Sequence, residues 1–120
     1  MKFEHFETNL EKENEYPKLV RDRIPEIIKE RSGEEAKTRI LEIREEYLTF
    51  LLKKVEEEAH ELANAEDKEH IVEEVADVME LIESILEFYD VDMETVLKVK
   101  KEKADKRGGF KKRILMLEKV

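Results

Sequence analysis

The chain has 120 residues, of which 46% are charged and 40% hydrophobic, and its formal net charge is −9. One domain is expected at this length, and apolar residues this numerous and this periodic argue against disorder. The acidic balance argues against general nucleic-acid binding, and the lack of cysteine excludes a disulfide frame, a thiolate nucleophile and a zinc–thiolate site.

Residues 1–15 are polar and acidic, with Phe3 and Phe6 the only sizeable apolar side chains before Leu10. They form a weakly ordered arm in this reading, or one that docks on a neighbour through those rings; residues 16–120 form the domain. Tyr16-Pro17 opens the ordered part, and Pro25 suits the first turn of a short helix from Glu26 to about Arg31, stopped by Ser32-Gly33. The alternation from Ala36 to Leu41 allows a brief strand. A long helix is predicted from about Ile43 to Ala63, because Leu48, Leu51, Leu52, Val55, Ala59 and Leu62 form one apolar stripe. Asn64 to Asp67 breaks the chain, with Asp67 as a cap. A second long helix follows from about Lys68 to Tyr89, with Ile71, Val75, Val78, Leu81, Ile82, Ile85 and Tyr89 on its stripe. Asp92 caps a third, Met93 to about Arg107, which Gly108-Gly109 ends. Ile114 to Leu117 is an apolar, extended run that might pair with Arg39 to Leu41. No stretch approaches the roughly 20 apolar residues of a membrane span and no apolar signal region opens the chain, so a cytoplasmic protein is expected.

The fold class is therefore all-α: an antiparallel helical hairpin, a third helix packed on it, and short flanking pieces. The two stripes are wide for so small a chain. Such a pair commonly completes its core with a second copy, giving a four-helix bundle in a homodimer or higher homo-oligomer.

The chemistry concentrates between Lys54 and Asp77. Glu57-Glu58-x-x-Glu61 lies on the first long helix and Glu74-x-x-Asp77 on the second. Acids three apart on a helix project from one side, so an antiparallel hairpin can bring four of them together. At about 100° per residue, Glu58 and Glu61 fall on one flank of their stripe, Glu57 nearly opposite it, and His60 well off it. Glu74 lies inside its stripe and Asp77 at the edge, while Glu56 and Glu73 face solvent. A carboxylate within an apolar stripe is costly unless paired or bound to a cation, and Glu74 has no Lys or Arg one turn away. Oxygen donors, without cysteine or a well-placed histidine, suit Mg²⁺, with Mn²⁺ as a substitute. Glu57-x-x-His60 matches one element of di-iron bundles, but both residues look solvent-facing, and the second such pair, Asp67-x-x-His70, sits at a helix start in the wrong place.

With these acids in E-E-x-x-E…E-x-x-D order, the chain resembles the MazG-like, all-α nucleoside triphosphate pyrophosphohydrolase superfamily. Two flanking blocks, Tyr16-Pro17-Lys18-Leu19-Val20-Arg21-Asp22-Arg23-Ile24-Pro25 and Lys106-Arg107-Gly108-Gly109-Phe110, are similar to its house-cleaning, phosphoribosyl-ATP pyrophosphohydrolase-like branch. Lys54-Val55 stands where the family commonly has Lys-Leu, a change of packing. The resemblance spans residues 16–117. It implies Mg²⁺-dependent hydrolysis of a nucleoside triphosphate, canonical or not, to the monophosphate and pyrophosphate. It also implies Glu58, Glu61, Glu74 and Asp77 as metal ligands, with Glu57 handling the attacking water or bonded to Lys54. Lys103, Lys106 and Arg107, with Lys18, Arg21 and Arg23, are the candidate phosphate-binding cations. Tyr47, Phe50 and Tyr89 are candidates for stacking on a base. The alternatives are phosphoribosyl-ATP as substrate, in histidine biosynthesis, and a non-catalytic helical module that binds a nucleotide or a partner.

Overall fold

The computed structural model describes residues 16–120, so the expected N-terminal arm, residues 1–15, lies outside the described residues. Four helices follow in order: α1 (Ile24–Ser32), α2 (Arg44–Ala63), α3 (Lys68–Phe88) and α4 (Met93–Arg107). Among the described residues there is no strand, and neither 36–41 nor 114–117 joins a ladder.

The helix ends follow local chemistry. Pro25 occupies the first turn of α1, where its missing N–H costs nothing, and Gly33 ends the helix at φ 74° with its N–H donating to the Lys29 carbonyl at 2.9 Å. Asp67 accepts the His70 N–H at 2.8 Å and so caps α3. Asp92 caps α4 in the same way, accepting from the N–H and the hydroxyl of Thr95 at 2.8 and 2.7 Å. Gly108, at φ 79°, donates to the Ala104 carbonyl and closes α4.

Among the described residues the only extensive packing between helices is α2 against α3. The four-residue connection makes them antiparallel neighbours. At the far end Arg44 donates to the Phe88 carbonyl, and its guanidinium lies 3.9 Å from the Phe88 ring centroid, pinning the start of α2 to the end of α3. Tyr47 packs there too, its ring 6.1 Å from that of Phe88, and the Tyr89 ring meets Phe88 edge-on at 5.1 Å.

The hairpin uses only part of its apolar surface. Leu51, 1% exposed, is the one fully buried hydrophobic side chain among the described residues. The sector of α2 that is turned inward runs through Tyr47, Leu51, Lys54, Glu58 and Glu61, and that of α3 through Glu74, Val78, Leu81 and Ile85. Both sectors are rotated from the centre of the sequence stripe toward the acids. Leu48, Val55 and Leu62 of the first stripe are half-buried, but part of each stripe stays exposed: Leu52 and Ala59 on α2, and Ile71, Val75 and Ile82 on α3, with Val72 and Met79 beside them. Each stripe therefore serves two faces, one covered by the partner helix and one open.

Two expectations are corrected. The third long helix, α4, is not packed on the hairpin to any comparable extent: Leu97 and Val99 are exposed, and only Met93 and Val96 are half-buried. The cause is its composition, since the run Lys98-Val99-Lys100-Lys101-Glu102-Lys103 interrupts any continuous apolar stripe. The apolar C-terminal run does not pair with 39–41 either; Phe110 and Ile114 to Leu117 are all exposed. Arg39 instead reaches forward, donating two hydrogen bonds to Glu46 at 2.9 and 3.0 Å.

Candidate metal centre

The acids meet in the seam between α2 and α3. One oxygen each from Glu58, Glu74 and Asp77 lie within 4.8 Å of one another. Glu61 falls into a second group of the same size with His70 and Glu74, so Glu74 belongs to both. The two groups are stacked along the hairpin: Glu61 and His70 sit beside the interhelical turn, Glu58 and Asp77 about two helical turns from it. Glu74 is buried, at 9% exposure, and its Oε2 is buried with no hydrogen-bond partner. An orphaned carboxylate oxygen in this setting costs on the order of 1–3 kcal/mol or more when charged. A cation beside it would remove that cost.

Two basic side chains flank the seam. Lys54 donates to both carboxylate oxygens of Glu57 at 3.2 Å and lies 3.8 Å from Glu58. This corrects the view of Glu57 as solvent-facing: its side chain is only 19% exposed, held along the helix by Lys54 one turn back. His60 is likewise half-buried, although it joins neither group. Glu56 and Glu73 are exposed, as their angular positions predict. On the other side, Arg21 donates to Asp77 at 2.7 Å and approaches Glu80 at 3.7 Å, which lays the segment before α1 against α3.

The other candidate cations are placed differently. Arg23 turns to Glu26 of its own helix at 3.4 Å, and the Lys18 ammonium stands 5.5 Å from the Tyr16 ring centroid. Lys103, Lys106 and Arg107 are exposed on α4, and no ion pair ties them to α2 or α3 among the described residues. The aromatic candidates are not near the acids. Tyr47 lies three turns, about 16 Å, from Glu58 along α2 and packs with Phe88 and Tyr89 at the other end of the hairpin. The Phe50 ring faces Lys53 at 5.2 Å.

Sequence reasoning passed over His70. Its Nε2 is 3.2 Å from Glu74 Oε1, the product of an i, i+4 spacing that was legible in the sequence. In the sequence His70 reads as half of an Asp67-x-x-His70 pair at a helix start rather than as a partner of Glu74.

The electrostatics agree with a site that lacks enough positive charge. Burial pushes the Glu58 carboxyl up from the ordinary 4.5 to about 7. The neighbouring Glu74 carboxyl and the charge of Asp77 add to this, and Lys54 opposes it. The sign of the consequence is the reverse of the usual carboxylate case. Between about pH 4.5 and 7 the folded protein holds this proton and the unfolded chain does not, so stability falls as pH rises through that window. In chelator-treated protein the loss from this group should reach up to about 3 kcal/mol, by the free energy of a shift of that size. Thermal melts from pH 5 to 8 measure it, and Glu58→Gln should flatten the curve.

The donor set fits a hard divalent cation. Carboxylate oxygens converge from two packed helices, and one of them is buried and unpartnered. No helix among the described residues is long and apolar enough to cross a membrane. Comparison of the chain with family models, with curated proteins and with solved structures returned no match.

Proposed function

We propose that this protein hydrolyses a nucleoside triphosphate to the monophosphate and pyrophosphate, using Mg²⁺ held by Glu58, Glu61, Glu74 and Asp77, in a nucleotide house-cleaning role in the cytoplasm. The observation that carries the reading is the convergence of Glu58, Glu74 and Asp77 on one point, with the Glu74 carboxylate buried and half unpartnered. The MazG-like order of the motif blocks adds the reaction class. A divalent cation bound there supplies charge neutralisation for the phosphates and Lewis acidity at the reacting group.

The protein's own residues do the rest. Glu58, Glu74 and Asp77 fix the position of the substrate's phosphates through their geometry on two packed helices. Arg21, which donates to Asp77, would serve as a donor to a phosphate oxygen. Glu57, oriented by Lys54, accepts the proton of an attacking water. Lys103, Lys106 and Arg107 are an exposed reserve of positive charge for the departing pyrophosphate.

The assembly belongs to the same proposal. Two copies pair their open apolar faces, Leu52 and Ala59 with Val75 and Ile82, into a four-helix bundle, a reading supported by the large apolar side chains that both helices leave exposed. The exposed C-terminal run, Ile114 to Leu117, becomes an extended segment covered in that assembly.

A panel of triphosphates, with phosphoribosyl-ATP included, tests the reaction. Mg²⁺-dependent release of pyrophosphate rather than orthophosphate is expected, abolished by Glu58→Gln and by Asp77→Asn. Activity surviving both substitutions removes the site assignment. Metal binding without turnover of any compound in the panel favours the non-catalytic module.

A further inference from the structure

We propose that Glu61, His70 and Glu74 form a second cation position, next to the all-oxygen position of Glu58, Glu74 and Asp77, which takes a first-row transition dication such as Mn²⁺ through the His70 imidazole. The inference rests on the reading of the acid seam as a metal centre, but it is independent of which substrate is cut.

The geometry is that of a ligand set. Three potential ligand atoms, one from each residue, lie within 4.8 Å of one another. The 3.2 Å between His70 Nε2 and Glu74 Oε1 is close to the separation of adjacent ligands around an ion with bonds of about 2.1 Å. The donors come from two helices at a closed end of the hairpin. Glu61 is in the last turn of α2, and His70 is in the first turn of α3, whose start is fixed by the Asp67 cap at 2.8 Å. His70 retains 41% side-chain exposure, which leaves a path for an ion from solvent.

A simple His70–Glu74 ion pair accounts for less. It engages Oε1 of Glu74 and leaves Oε2 buried with no hydrogen-bond partner, in a residue only 9% exposed. A carboxylate has two oxygens, and Glu74 belongs to both groups, so a bridging carboxylate explains why one residue is buried between them. The chemical difference between the positions is the nitrogen. Mg²⁺ is indifferent to imidazole and is suited by the oxygen-only group, whereas a mixed imidazole–carboxylate set favours a transition ion.

The experiment is pulsed electron paramagnetic resonance on the full chain titrated with Mn²⁺ alone, read for ¹⁴N modulation, with affinities from isothermal titration. The wild type should bind Mn²⁺ with ¹⁴N coupling. His70→Gln should lose the coupling and weaken one equivalent at least about tenfold, while a second, nitrogen-free equivalent remains. Asp77→Asn should do the converse, keeping the coupled equivalent, and His60→Gln should change neither. Bound Mn²⁺ without ¹⁴N coupling in the wild type, or coupling that persists in His70→Gln, overturns the second position and leaves the acid site standing. No Mn²⁺ binding at all overturns both, so the two failures are distinct.

Discussion

Glu74→Gln is expected to stabilise the metal-free protein while nearly abolishing pyrophosphate release. Glu74 is buried, and one of its oxygens has no hydrogen-bond partner. It also shares the seam with the carboxylates of Glu58 and Asp77. Without a cation these groups repel, and burial together with the neighbouring acids raises the Glu58 carboxyl. An amide has the same shape, carries no charge and donates two hydrogen bonds to neighbouring acids. The expected gain is about 1–3 kcal/mol in chelator, the range for relieving an unsatisfied buried polar group. The loss of activity should be roughly a thousand-fold, since about 4 kcal/mol of cation-dependent stabilisation disappears. Thermal melts with and without Mg²⁺, alongside a pyrophosphate assay, read both arms. A variant less stable than the wild type in chelator would mean that Glu74 is held by something other than a missing cation.

The second large effect concerns assembly. Ile82→Asp should convert a dimer into a largely unfolded monomer. Ile82 and Val75 are each 39% exposed, and Ile71 is 43% exposed, on the open side of α3. The closed side contributes one fully buried hydrophobic residue, Leu51, among the described residues. In the proposed bundle, a hairpin with so thin an interior would gain most of its stability from a second copy. A charge placed in the middle of that seam should cost about 3–5 kcal/mol, as for an unpaired buried charge. Sedimentation should find the wild type at twice the 14.4 kDa chain mass and the variant at the single-chain mass with reduced helicity. A wild type that sediments as a monomer at high micromolar concentration contradicts the bundle.

How much of this was legible beforehand differs from element to element. Helix ends were readable because they depend on single residues: Pro25 and Gly33 around α1, Asp67 before α3, and Asp92 and Gly108 around α4. The acid seam was readable because three-residue spacings on helices fix direction, and Glu74 stood inside an apolar stripe. The orientation of each stripe was not. A stripe wide enough for two neighbours has a centre that belongs to neither, so Ala59, on the stripe, is exposed, while Lys54, off it, is half-buried. Glu57 was misplaced for the same reason. The docking of α4 was over-read: short connections and a good cap place a helix in sequence but do not supply the apolar face that binds it. His70 was missed because a histidine beside a buried acid reads as a neutralising neighbour until the distance, and the unpartnered oxygen beyond it, are known.

The central claim is that the seam of α2 and α3 holds a divalent cation. Anomalous diffraction from crystals grown with Mn²⁺ tests it most directly. A peak should lie about 2.1–2.2 Å from an oxygen of each of Glu58, Glu74 and Asp77, with Arg21 withdrawn from Asp77. If that position stays empty at saturating Mn²⁺, with Arg21 still on Asp77, the account is contradicted.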